Sequence, residues 1–266
     1  MPVAPPPDPA ALASFPDPAH ALVVGASRGL GLEFVRRLLA CGNVGRVFAG
    51  CRVPAAAGEL QRLAREHPER LQPLPLDLLD EASIAAAAAR VVAAGGRLHL
   101  LLNCAGVLHG PDGMAPEKRL ADVELANLQR SFAVNACGPL LVAKHFQRCF
   151  LHRERAVFAS LSARVGSIGD NRLGGWYAYR GAKAAQNMFT RTLAIEFARR
   201  APATVCLALH PGTTDTDLSR PFQANVEPEW LFPAGYSVSR LLQVIDGAGP
   251  EQHGGFFAFD GERLPW

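Results

Sequence analysis

The sequence predicts an α/β protein, a doubly wound parallel sheet of about seven strands with helices on both faces. Three observations predict it. Short apolar runs of strand length alternate along the chain with amphipathic helical stretches, the order that builds parallel βαβ units. The first such run, residues 20–24, leads into a glycine-rich turn and then a helix with Leu30, Phe34, Leu38 and Leu39 on one face. The chain has 266 residues and is 49% apolar, which suits a single domain with a sizeable core.

Residues 1–18 are rich in Pro and Ala and have neither a basic start nor a continuous apolar stretch. They read as a flexible or draped tail rather than a signal peptide, ahead of one domain over residues 19–266. Strand 20–24 then meets Gly25-Ala26-Ser27-Arg28-Gly29-Leu30-Gly31. Strand, glycine turn and helix together form a dinucleotide-binding context. The glycines let backbone N–H groups approach a pyrophosphate at the positive end of the helix. The second strand, residues 46–50, is followed by Cys51 and Arg52. A free ribose 2′-hydroxyl calls for a carboxylate about 20 residues past the turn. None stands there, and Glu59 lies inside the next helix. Arg28 and Arg52 are present instead, and two guanidinium groups suit a 2′-phosphate. The charge pattern therefore predicts NADP(H) over NAD(H).

Residues 59–67 read as a helix and 71–76 as a strand ending at Asp77 and Leu78. Asp77 or Asp80 can cap the Ala-rich helix that runs to residue 94. Strand 98–102 delivers Asn103-Cys104-Ala105-Gly106, followed by a loop over 107–120. A long helix covers 125–151, with Asn135 in mid-helix against its propensity. Strand 156–162 and a helix over 182–199 come next. Strand 204–209 leads into His210-Pro211-Gly212-Thr213-Thr214-Asp215-Thr216. Residues 213–233 read as a flap with an apolar underside that includes Phe222, Trp230 and Phe232. Helix 237–245 and strand 255–258 complete the sheet, and the ending Asp260–Trp266 serves packing or a subunit contact.

Tyr179 and Lys183 stand four residues apart, on one face of a helix. An unperturbed phenol titrates near pH 10, and a cation one turn away favours the phenolate. Acting near neutral pH needs a drop of roughly three units, about 4 kcal/mol. A lysine beside a positively charged nicotinamide can supply it.

The turn spacing G-x-x-x-G-x-G, with Tyr179-x-x-x-Lys183, resembles the short-chain dehydrogenase/reductase family. The resemblance covers nearly everything after residue 18. Its fold implication is a Rossmann-type sheet. It implies that Asp77 contacts adenine, that Asn103, Ala105 and Gly106 lie against the adenosine ribose, and that Pro211, Gly212, Thr213 and Thr216 hold the nicotinamide carboxamide. It implies that Asn135 marks a helix break whose backbone holds a water, and that Lys183 grips the ribose. Cys104 stands where the family has a second Asn. The family's catalytic serine usually stands thirteen residues before the tyrosine, where this chain has Gly166. Ser162, Ser167 and Ser160 are the candidates, with Ser162 preferred because it is nearest the carboxyl end of its strand. Residues 161–168, 170–172 and 174–177 and Asp260-Gly261 resemble the branch of C-factor-like and sniffer-like carbonyl reductases.

A net charge of +3, dispersed, argues against nucleic acid. Six cysteines without C-x-x-C spacing read as buried thiols of a reducing, cytoplasmic compartment, and eight scattered histidines predict no metal. No apolar run reaches the ~20 residues of a membrane span. The expected function is NADPH-dependent reduction of a small carbonyl compound. The alternative is a dinucleotide-binding signalling protein with incidental turnover. The resemblance implies a homodimer or homotetramer through helices 125–151 and 182–199.

Overall fold

The computed structural model describes residues 12–266. In chain order its strands are β1 (Ala19–Val24), β2 (Val44–Cys51), β3 (Leu71–Pro75), β4 (Leu100–Asn103), β5 (Ala156–Leu161), β6 (Thr204–His210), β7 (Thr213–Thr214), β8 (Leu231–Phe232) and β9 (Gly255–Ala258). The helices are α1 (Gly29–Ala40), α2 (Gly58–Glu66), α3 (Glu81–Ala93), α4 (Leu125–Phe132), α5 (Gly138–Phe146), α6 (Tyr177–Arg200) and α7 (Ala234–Gly247). Seven strands form one sheet in the order β3-β2-β1-β4-β5-β6-β9, and every neighbouring pair is parallel.

Period-2 alternation divides the core in two. Ala21 and Val23 of β1, Leu100 and Leu102 of β4, and Leu207 and Leu209 of β6 face α1, α2 and α7. Leu22 and Val24, Leu101, Phe158 and Cys206 face α3, α5 and α6. Both faces are covered, so the strands carry continuous apolar runs, as buried parallel strands do. Each fully buried Leu or Phe contributes about 1.5–3 kcal/mol.

Chain order reverses between β1 and β4, which pair directly. The loops leaving them diverge and open a crevice at the carboxyl edge, where such folds place their ligands. Register aligns the strand ends there: Val24 lies opposite Gly50 on one side and Asn103 on the other, and Asn103 lies opposite Ser160.

Several expectations are amended. Of the tail, residues 1–11 lie outside the described residues. Residues 12–18 are draped rather than free: Leu12 and Phe15 are buried in the core and Ser14 donates to Asp246. The helix expected over 125–151 is broken at Ala133–Cys137 by a π-turn and ends in a 3-10 turn at Gln147–Phe150. α6 starts five residues before the expected 182. The C-terminal ending folds back on β9, where Leu264 N–H donates to the Phe256 carbonyl and Trp266 stacks on Phe256. Four cysteines are buried, but Cys104 is half-buried and Cys137 exposed. The histidines are not all scattered in space. His99, His152 and Glu154 bring ligand atoms within 4.8 Å of one another at the amino edge. There His99 Nδ1 accepts the His20 N–H, so its Nε2 carries the proton it gives Glu154 at 2.9 Å. No helix among the described residues is long and apolar enough to cross a membrane.

Candidate active site

The glycine turn is a close approach of backbone to backbone. Gly25 has φ +85°, and a Cβ there would lie 2.6 Å from the Ala105 nitrogen. A Cβ on Gly31 would lie 2.1 Å from the Gly25 carbonyl oxygen. Only glycine fits either position, and the N-terminus of α1 is thereby left bare. Ser27, Gly29 and Leu30 complete this rim, and Gly29 approaches Thr216 of the flap. Across the crevice, Asn103 is buried, with its Nδ2 donating to Ser160 Oγ and its Oδ1 unpartnered. Ala105 and Gly106 follow it. Arg52 is exposed. Arg28 is exposed too, with a loose 3.7 Å pairing to Asp217. Surface pairs of this kind contribute little. Asp80, not Asp77, caps α3 by accepting the Ala82 N–H. Asp77 accepts the Leu79 N–H, and Leu78 is buried beside it.

Tyr179 and Lys183 lie in the first two turns of α6, 8% and 3% exposed. Lys183 Nζ sits 5.7 Å from the centre of the Tyr179 ring and donates to the Leu161 carbonyl at 2.7 Å and to Gln186 Oε1 at 2.9 Å. Burial pushes the lysine down to about 7. It also pushes the tyrosine well above the ordinary phenol range. The acidified phenol expected from the sequence calls for a bound nicotinamide beside the lysine; burial alone moves the phenol the other way. Burial likewise raises the Cys104 thiol.

Asn135 lies inside the π-turn, at the local break expected of it. Its side chain is fully committed: Nδ2 donates to the Val107 carbonyl at 2.8 Å and to Ser131 Oγ, and Oδ1 accepts the Val107 N–H at 2.9 Å. The amide therefore stitches the broken helix to the loop leaving β4.

Ser162 follows directly on β5. Its hydroxyl donates to Asn187 Oδ1 at 2.7 Å, and the residue is buried. Its single proton serves Asn187 here, and a substrate oxygen would compete with that acceptor. Ser160 accepts from Asn103, and Ser167 accepts the Asp170 N–H. All three candidate serines are buried.

Residues 19–227 match the short chain dehydrogenase family. The chain belongs to that family. The NADPH-bound carbonyl reductase from chicken fatty liver is 32% identical and superposes with a TM-score of 0.84, covering 95% of this chain and 100% of that one. The carbonyl reductase Sniffer of D. melanogaster is 27% identical with a TM-score of 0.82, covering 94% of this chain and 100% of that one. C-signal of Myxococcus xanthus is 36% identical over 171 residues, 64% of this chain and 94% of that protein. The carbonyl reductase and C-factor branch inferred from the sequence is the one these similarities give.

In this short-chain dehydrogenase the 213–233 flap is pinned at its base, where Thr213 and Thr214 pair with Leu231 and Phe232. Gly212 takes φ +74°, and a Cβ there would strike the Phe232 ring at 2.8 Å. Thr213 is exposed beside Pro211, and Thr214 Oγ1 bonds Ser237 at 2.8 Å. His210, at the end of β6, has an unpartnered Nδ1, and burial lowers its imidazole to about 4.

Sequence reasoning missed two features. Trp176 stands against both Tyr179 and flap residue Phe222, with ring centres 6.3 and 5.2 Å away, and His109 also meets Phe222. Glu117 is buried against the start of α6. The Pro-Glu-Lys at 116–118 gave no local signal, because both contacts cross some sixty residues of chain.

Proposed function

We propose that this oxidoreductase is an NADPH-dependent carbonyl reductase. The observation that carries the reading is the buried Tyr179–Lys183 pair on α6, at the same sheet edge as a glycine turn too tight for any side chain. The residues present suit a dinucleotide. The bare rim 25–31 would take its pyrophosphate. Arg28 and Arg52 would flank a 2′-phosphate, Asp77 and Leu78 the adenine, and Asn103, Ala105 and Gly106 the ribose. Pro211, Gly212, Thr213 and Thr216 would hold the carboxamide, and Lys183 the second ribose.

NADPH bound there supplies a hydride to the carbonyl carbon. Tyr179 supplies the proton to the carbonyl oxygen. Burial keeps that proton on the phenol until the oxygen becomes basic enough to take it. Lys183, with its affinity near neutrality, takes up and gives protons at physiological pH and so restores the tyrosine. Asn135 holds the π-turn whose backbone carries a water toward Lys183. Trp176, Phe222 and the flap exclude solvent. With Ser162 committed to Asn187, Tyr179 is the side-chain donor assigned to the carbonyl. NADPH consumption against a panel of quinones, aldehydes and ketones tests the reading. Turnover with at least one class is expected, and none with any of them refutes it.

Arg52→Asp should weaken NADPH binding by about tenfold or more while leaving NADH binding unchanged or tighter. Fluorescence titration with both cofactors measures this. The exposed Leu125, Met188 and Ile195 on α4 and α6 support a homo-oligomer paired through these helices.

One observation favours the signalling alternative: the preferred serine, Ser162, already gives its proton to Asn187. On that reading Tyr179→Phe leaves the biological phenotype intact, while Gly29→Asp, at φ +55°, abolishes it.

A further inference from the structure

The lead-in to α6 is held from far away in sequence. Gly174, Gly175 and Trp176 take left-handed backbone, with φ of 64, 65 and 52°. For tryptophan that conformation is strained, because its Cβ crowds the following carbonyl oxygen. Such strain persists only where the surroundings over-determine it. Trp176 is the N-cap of the helix, yet its side chain caps nothing. Glu117 takes over that role. Its backbone carbonyl accepts the Trp176 N–H at 2.5 Å, and its Oε2 accepts the Ala178 N–H at 3.1 Å. Two donors that the helix start would leave open are satisfied by one residue. On the other side, Ser131 Oγ donates to the Ala178 carbonyl, and Arg180 Nε donates to the carbonyls of Gly174 and Gly175. Tyr179 is the next residue along.

Glu117 is 3% exposed, and its second oxygen, Oε1, is buried without a partner. An isolated helix cap does not require that; capping carboxylates are ordinarily bathed in water. Glu117 and Tyr179 instead line one narrow recess, too small for a water molecule, with Val107, Met114 and Ser131. The residue that fixes the first turn of α6 is therefore also a wall of the space beside the phenol.

We propose that Glu117 is a positioning residue for Tyr179, setting where the phenol stands by clamping the N–H groups of Trp176 and Ala178. The inference rests on the carbonyl-reductase reading. Misplacing a reacting group by 1 Å can cost about 100-fold.

Three variants test it: Glu117→Ala, Glu117→Gln and Gly175→Ala. A Cβ on Gly175 would lie 3.3 Å from the Glu117 carbonyl oxygen at a left-handed φ, so it disturbs the same clamp from the other side. Glu117→Ala should lower kcat by about tenfold or more, with the NADPH dissociation constant changed by less than about twofold. Glu117→Gln, whose amide oxygen can accept the Ala178 N–H, should recover most of that kcat. Gly175→Ala should lower kcat as well, and its combination with Glu117→Ala should be no worse than the poorer single variant. Amide hydrogen exchange at Ala178 should quicken in Glu117→Ala and stay slow in Glu117→Gln. An unchanged kcat in Glu117→Ala, a matching loss of NADPH binding, a glutamine variant as poor as the alanine one, or additive losses each overturn the proposal. A wild type without turnover overturns the reductase reading instead, and the exchange experiment then decides the clamp by itself.

Discussion

Gly31→Ala is expected to abolish measurable NADPH binding, a loss of about 100-fold or more, and to lower stability by about 1–3 kcal/mol. Two effects oppose each other at this position. Gly31 is the third residue of α1, and alanine is favoured over glycine in a helix by up to ~1 kcal/mol. Against that, the new Cβ would lie 2.1 Å from the Gly25 carbonyl oxygen and 2.8 Å from its carbon. The obstacle is backbone, so no rotamer change relieves it. Gly25 cannot retreat, since its own Cβ position is already 2.6 Å from the Ala105 nitrogen. The clash wins, and the turn opens. The N–H groups meant for the pyrophosphate then lose their common centre. Fluorescence titration and thermal unfolding read both effects. Gly247→Ala is the control: nothing lies within 4 Å of its Cβ, and stability should stay within about 0.5 kcal/mol.

Lys183→Met should do the opposite to stability and the same to turnover. Lys183 is buried, and its affinity falls from 10.5 to about 7. That displacement caps the cost of the buried charge at about 5 kcal/mol. Methionine forfeits two hydrogen bonds worth about 1 kcal/mol each, although the Leu161 carbonyl keeps Gln186 Nε2 as a donor at 3.3 Å. The net gain at pH 7 is on the order of 2 kcal/mol. The sign with pH follows from proton counting. Between about pH 7 and 10.5 the unfolded lysine holds a proton that the folded one has released. Wild-type stability therefore rises with pH across that window. The advantage of the methionine variant is fully present at and below pH 7 and fades toward pH 10. Urea unfolding of both proteins at pH 7 and pH 10 measures it. NADPH turnover of the variant should fall by about 100-fold or more, because the proton-restoring group is gone.

The sheet was legible because its signals are local. Each strand is a short apolar run, and the glycine turn sits directly between strand and helix. Asn135 stood out as an amide where helix propensity disfavours one, and the family resemblance gave the break that the π-turn makes. The spacing of Tyr179 and Lys183 put both on one face of α6 without knowledge of where α6 begins. The helix start was misjudged because the cap that starts the helix comes from Glu117, some sixty residues earlier. The bond from Ser162 to Asn187 was hidden for a similar reason. Strand alternation tells which face a serine lies on, but its partner Asn187 is 25 residues away. The pairing of β7 with β8 involves two residues on each side, too few for a periodic signal. The upward push of burial on Tyr179 in the protein alone was not legible, because spacing does not reveal burial.

The most direct test of the account compares Tyr179→Phe with wild type for NADPH binding and for NADPH-dependent carbonyl reduction. Phenylalanine keeps the ring against Trp176 and Lys183 and removes only the hydroxyl. The account predicts an unchanged NADPH dissociation constant and turnover lower by about 100- to 10,000-fold. Turnover equal to wild type would contradict it.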